Sequence, residues 1–108
     1  MPDEDQKRTA HRALVDRILN GKGRASAQQR AHAYRNDGLP PPLDTLIGKV
    51  ATNPTQVTDA DFAAAKASGV SEDQLFELVI CAAVGQSARL YEAALAALAE
   101  ATVDGEAG

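Results

Sequence analysis

From Glu72 to Ala101 nothing in the chain breaks a helix except Gly85, and the run ends in Ala93, Ala94, Ala96, Ala97 and Ala99. A single interior Gly costs a helix only about 1 kcal/mol, so the segment predicts one long helix bent at Gly85 or two consecutive helices. The stretch Leu75–Val84 is apolar nearly all round, which predicts a helix buried on most sides. Beyond Gly85 the apolar set narrows to Ala88, Tyr91, Ala94, Leu95 and Leu98. No stretch of the sequence alternates with the period of two that a half-buried strand requires. The fold class is therefore all-α.

Upstream, Gly and Pro divide the rest into short helical units. Met1 to Gln6 is polar and expected to be flexible. Lys7 to Asn20 carries Leu14, Val15, Ile18 and Leu19 on one stripe, and Gly21-Lys22-Gly23 ends it. Ser26 with Gln29 three residues on is a capping box, opening a helix that Gly38 stops. Its stripe of Ala27, Ala31 and Tyr34 is weak, so it reads as a solvent-facing helix. Leu39-Pro40-Pro41-Pro42 is an extended spacer. Leu43, Leu46, Ile47 and Val50 then form a clean core face, closed by Asn53-Pro54. Thr58 caps the next helix, with Asp59 and Asp61 at the positive end of its dipole and Phe62, Ala63 and Ala65 as its inner face. Gly69 ends it, and Ser71 with Gln74 is a second capping box, with Val70 placed to staple onto Leu75. One domain over 7–101 is expected, a compact bundle of about five to six helices, with 102–108 a flexible acidic tail.

Charge and composition narrow the function classes. The chain of 108 residues has 11 basic and 15 acidic side chains, a formal charge of −4, which opposes general attraction to nucleic acid or anionic membrane. Met1 to Arg8 holds three acids and no apolar core, so it does not read as a signal peptide, and no stretch reads as a membrane span. A cytoplasmic protein is expected. With 22 Ala, four aromatics and no Trp, the core must come from small aliphatics. Thin burial per helix predicts that a last apolar face is covered by another subunit.

Few side chains suggest chemistry. Cys81, the lone cysteine, lies within Val79-Ile80-Cys81-Ala82-Ala83 and reads as a small buried hydrophobe. His11 and His32 read as surface side chains. Gly21-Lys22-Gly23-Arg24-Ala25-Ser26 lacks the spacing of a phosphate-binding loop, and Arg24, Arg30 and Arg35 read as a solvated basic face. Glu77 is a carboxylate inside an apolar run, which calls for a raised pKa or a cationic partner such as Arg89 or Lys49. Ala65, Gly69, Leu75 and Leu78 have helix-turn-helix spacing, but the second helix would present Glu72, Asp73 and Glu77 to phosphates, which argues against DNA.

The segment Asp61-Phe62-Ala63-Ala64-Ala65-Lys66-Ala67-Ser68-Gly69-Val70-Ser71-Glu72-Asp73-Gln74-Leu75-Phe76-Glu77-Leu78, followed by a helix of small residues, resembles the second half of a carboxymuconolactone decarboxylase domain. That superfamily includes the alkylhydroperoxidase D-like proteins, and the resemblance covers roughly residues 43–99. It implies an all-helical fold that assembles into trimers or hexamers, or here into a hetero-oligomer with a related subunit. Redox members carry Cys-x-x-Cys-x-x-x-His, and the matching positions here are Pro54, Val57 and Asp61. A peroxidatic cycle needs a reactive thiolate, a resolving thiol and a base, so the resemblance implies the fold without that cycle. Decarboxylase members use acid–base residues without a cofactor, which makes Asp61 and Glu77 the candidate catalytic residues, with no cofactor or metal expected. The leading expectation is an accessory or interaction subunit; the alternative is a cofactor-free acid–base enzyme.

Overall fold

The computed structural model describes residues 2–107, with side-chain surroundings given for 6–102. Five α-helices follow one another: α1 Pro2–Asn20, α2 Ala27–Arg35, α3 Leu43–Thr52, α4 Asp59–Ala67 and α5 Glu72–Ala107, with a 3-10 turn at Pro54–Gln56. Among the described residues there is no strand. α1 begins before Lys7, where the apolar pattern starts, and α5 continues past Ala101. Met1 and Gly108, the outermost residues of the segments expected to be flexible, lie outside the described residues.

Side-chain caps fix three of the helix starts. Ser26 Oγ accepts from the Gln29 N–H at 3.0 Å while Gln29 Oε1 accepts from the Ser26 N–H at 3.1 Å. Thr58 and Asp61 make the same reciprocal pair at the head of α4, and Ser71 and Gln74 do so before α5. Gly69 takes φ +102° between α4 and α5, a backbone region that side-chain-bearing residues seldom adopt.

The core lies where the first half of α5 meets α2 and α3. Leu75, Leu78, Cys81 and Ala82 of α5 pack with Leu43, Leu46 and Ile47 of α3, Ala33 of α2 and Ala65 of α4. Four sequence expectations change here. α2 is not solvent-facing: it packs on α5 more extensively than any other element does, with Ala33 fully buried and Arg30 nearly so. The cause is Gly85, which does not divide α5: the segment is one continuous helix. A Cβ at that position would run into the Tyr34 carbonyl, so its absence lets the end of α2 lie directly on α5. Leu75–Val84 is buried on one face only, since Phe76 and Ile80 are exposed. Phe62 likewise sits at an exposed edge and leaves Ala65 alone as the buried side chain of α4.

The bundle is also not compact. Its radius of gyration is 16.8 Å, against about 13 Å for a compact domain of this length, and its long axis is 57 Å. That axis is α5 itself, 36 residues long and so about 54 Å at 1.5 Å per residue. The second half of α5 projects beyond the core, with α1 leaning against it.

Candidate functional site

Asp61 is held in place from two sides. As the third residue of α4 it closes the cap with Thr58, whose N–H it accepts at 2.9 Å. Lys49 from α3 donates to both carboxylate oxygens, at 3.1 and 2.9 Å. Chiefly through the Lys49 hydrogen bond and then the Thr58 backbone bond, its pKa is held below the ordinary 3.8. A carboxylate so stabilised is a poor proton acceptor near neutral pH.

Glu77 does not pair with Arg89 or Lys49. Arg89 instead donates to the Tyr34 carbonyl at 2.7 Å and to Gln86. From the first third of α5, Glu77 reaches the loop between α1 and α2 and accepts from two successive backbone N–H groups, Arg24 at 2.7 Å and Ala25 at 2.6 Å. Gly23 makes room for it, because a Cβ there would stand 2.6 Å from Glu77 Oε1. The Ala25 backbone bond, reinforced by Arg24 and the Arg30 charge, outweighs partial burial and lowers the Glu77 pKa from the ordinary 4.5.

Arg30 grips the same loop from its other end. It is 8% exposed and donates to the carbonyls of Ile18 at 3.2 Å, Gly21 at 2.6 Å and Ser26 at 3.4 Å. A cation there neutralises the carbonyl end of α1. Arg30, read from the sequence as part of a solvated face, is thus a buried clamp. Cys81 is buried beneath, its Sγ 3.9 Å from the Ile18 carbonyl. Burial pushes its thiol pKa up, with Arg30 opposing and Glu77 adding to the rise, so it holds its proton.

The geometry therefore separates the candidates. Asp61 serves the α3–α4 corner, and Glu77, with Cys81 below it, serves the α1–α2 loop. None of the three lines either of two open grooves. Pro54 and Val57 lie in and just after the 3-10 turn, where Val57 packs against the core. Among the described residues no group of three or more His, Cys, Asp or Glu side chains could hold a metal ion.

The grooves lie on opposite parts of α5. One, of about 600 Å³, opens between α1 and the middle of α5, with Lys7, Arg8 and Arg12 along α1 and Val15, Tyr34 and Tyr91 on its apolar side. His11 sits there too, its ring 6.2 Å from that of Tyr91. The other, of about 490 Å³, opens between α4 and the start of α5, walled by Phe62, Leu75, Phe76 and Val79 and rimmed by Lys66 and Glu72.

Sequence reasoning missed the largest feature. Phe76, Ile80, Ala83, Ser87, Leu90, Ala94, Leu98 and Ala101 are all exposed and recur three or four residues apart. At about 100° per residue they fall on one narrow stripe, opposite the buried Leu78, Ala82 and Gly85. Phe76 is 66% exposed, Leu90 61% and Leu98 64%. The spacing was readable in the sequence; that this side stays uncovered was not. By length and composition alone α5 is long and apolar enough over Glu72–Thr102 to cross a membrane, where the sequence reading expected no such stretch. In this fold one side of that helix already packs on protein.

No known protein family, curated protein or solved structure matches the chain.

Proposed function

We propose that this chain is an oligomeric accessory or interaction subunit of carboxymuconolactone decarboxylase-like fold, without the redox centre of the active members. The observation that carries the reading is the uncovered apolar stripe of α5, long enough to seat a second helix along its whole length. Supporting it, Pro54, Val57 and Asp61 stand at the positions that the resemblance assigns to the redox residues. The acid–base reading has less in its favour, because Asp61 and Glu77 both have lowered pKa values and their oxygens are engaged in caps and clamps. The partner is a second copy or a related subunit, in a cytoplasmic assembly. Size-exclusion chromatography with light scattering tests this across micromolar concentrations, alone and with candidate subunits. A mass above 11.3 kDa that rises with concentration is expected. A strict monomer that binds no related subunit refutes it.

A further inference from the structure

Independently of the association reading, we infer that the groove between α1 and α5 binds a single-chain amphipathic carboxylate, a fatty-acid anion. Its head lies among the cations of α1 and its tail along the apolar floor. The side that α1 turns to the groove changes character along the helix: Lys7, Arg8 and Arg12 come first, then Val15 and Leu19. Arg8, Arg12, Val15 and Leu19 step by four, three and four residues, so they share one side of the helix. Across the groove stand Ala88 and Tyr91 of α5 and Tyr34 from the end of α2. The chain has two tyrosines, and both are here.

Charge selects the head. In a chain of formal charge −4, none of the ion pairs among the described residues takes up Lys7, Arg8 or Arg12. Two acids also reach the rim: Asp16, which accepts a hydrogen bond from Asn20 at 2.9 Å, and Glu92 on the α5 side. Arg8 and Arg12, one turn apart, are spaced to take the two oxygens of one carboxylate. Size selects the tail. The groove's volume of about 600 Å³ extends over the ~20 Å from Lys7 to Asn20, a mean cross-section of about 30 Å². A partner helix about 10 Å across would need about 80 Å², so the space suits one extended hydrocarbon chain and not a helix. The groove between α4 and α5 offers no such head site, because its one cation, Lys66, already pairs with Glu72 at 3.5 Å.

Tyrosine fluorescence reads occupancy directly, since the chain has no Trp and both tyrosines line the groove. The full chain is titrated with decanoate, dodecanoate and tetradecanoate below their micelle concentrations, with calorimetry for the stoichiometry. One carboxylate per chain is expected, and each added methylene should tighten binding by up to about fourfold. Dodecyltrimethylammonium, of the same tail and opposite charge, should bind at least about tenfold more weakly than dodecanoate. Equal affinity for the two means apolar adsorption without a head site and overturns the inference. The double variant Arg8→Gln, Arg12→Gln should weaken dodecanoate at least about tenfold with unchanged far-ultraviolet dichroism, whereas Lys66→Gln should leave it unchanged. Full affinity in the double variant places the ligand elsewhere and overturns the inference. No saturable binding of any of the three carboxylates refutes it. Binding confined to phosphatidylglycerol vesicles assigns the cations to a membrane surface and also overturns it. The mass by light scattering, read in the same samples, bears on association alone, so either reading can fail while the other stands.

Discussion

Replacing Glu77 tests whether its carboxylate is a clamp or a reagent. It accepts the N–H groups of Arg24 and Ala25 at 2.7 and 2.6 Å, joining α5 to a loop more than fifty residues earlier. Hydrogen bonds to a charged group contribute about 1.5–3 kcal/mol each. The Arg24 bond is exposed and belongs at the lower end, whereas Ala25 is only 3% exposed and has no other acceptor to turn to. Glu77→Gln keeps one carbonyl oxygen and is expected to cost about 2 kcal/mol. Glu77→Ala loses both bonds and leaves the Arg30 charge less compensated, which costs about 3 kcal/mol. Urea unfolding followed by far-ultraviolet dichroism measures both. The pH dependence gives a sharper check. The folded-state pKa of Glu77 lies below its ordinary 4.5, so its contribution is complete above about pH 4.5. It is lost as the pH falls from there through the lowered folded value. The stability gap between the natural chain and Glu77→Gln should therefore be constant from pH 5 to 7 and shrink on further acidification. A gap that widens with acid, or a Glu77→Gln chain as stable as the natural one, refutes the clamp.

Four further outcomes follow from the packing. Gly85→Ala should destabilise by about 1–3 kcal/mol in urea unfolding, although Ala is the better helix former by about 1 kcal/mol, because the new methyl meets the Tyr34 carbonyl and neither backbone can give way. Leu78→Ala should cost about 2–5 kcal/mol in the same assay, whereas Phe76→Ala should leave monomer stability nearly unchanged and weaken association measured by light scattering. Cys81 should react with iodoacetamide far more slowly in the folded chain than in urea, and equal rates would contradict its burial. By hydrogen exchange, amides of residues 90–101 should gain protection as concentration rises, while those of 78–85 stay protected at every concentration.

What the sequence disclosed follows the range of each interaction. The caps at Ser26, Thr58 and Ser71 were legible because each is settled within four residues. The face of Leu43, Leu46 and Ile47 was legible because its period is local as well. α2 was misread because its burial depends on Gly85, a residue fifty positions later whose meaning is the side chain it lacks. Arg30 was misread because its partners are main-chain carbonyls, which every residue carries and no pattern marks. Glu77 did leave a signal, being a carboxylate in an apolar run, but the partners proposed for it were side chains, and the real ones are backbone amides. The uncovered stripe was hidden because it shares α5 with the buried face: together they made the segment seem apolar all round.

That double-sided character ties the fold to the proposed association. The molecule's own core occupies only the head half of α5, where Leu75, Leu78, Cys81 and Ala82 are covered by α2, α3 and α4. Past Arg89 the helix has little but α1 beside it, and most of its side chains are exposed. Alanine supplies helix propensity without much burial, so the projecting half persists through local propensity and continuity with the packed half. Solvation alone would be served by charged side chains at the exposed positions. Instead Leu90, Ala94, Leu98 and Ala101 carry the apolar stripe of the head out along the projecting half as far as Ala101. An apolar stripe that outruns the core it belongs to is costly exposure in a monomer and a continuous contact surface in an assembly.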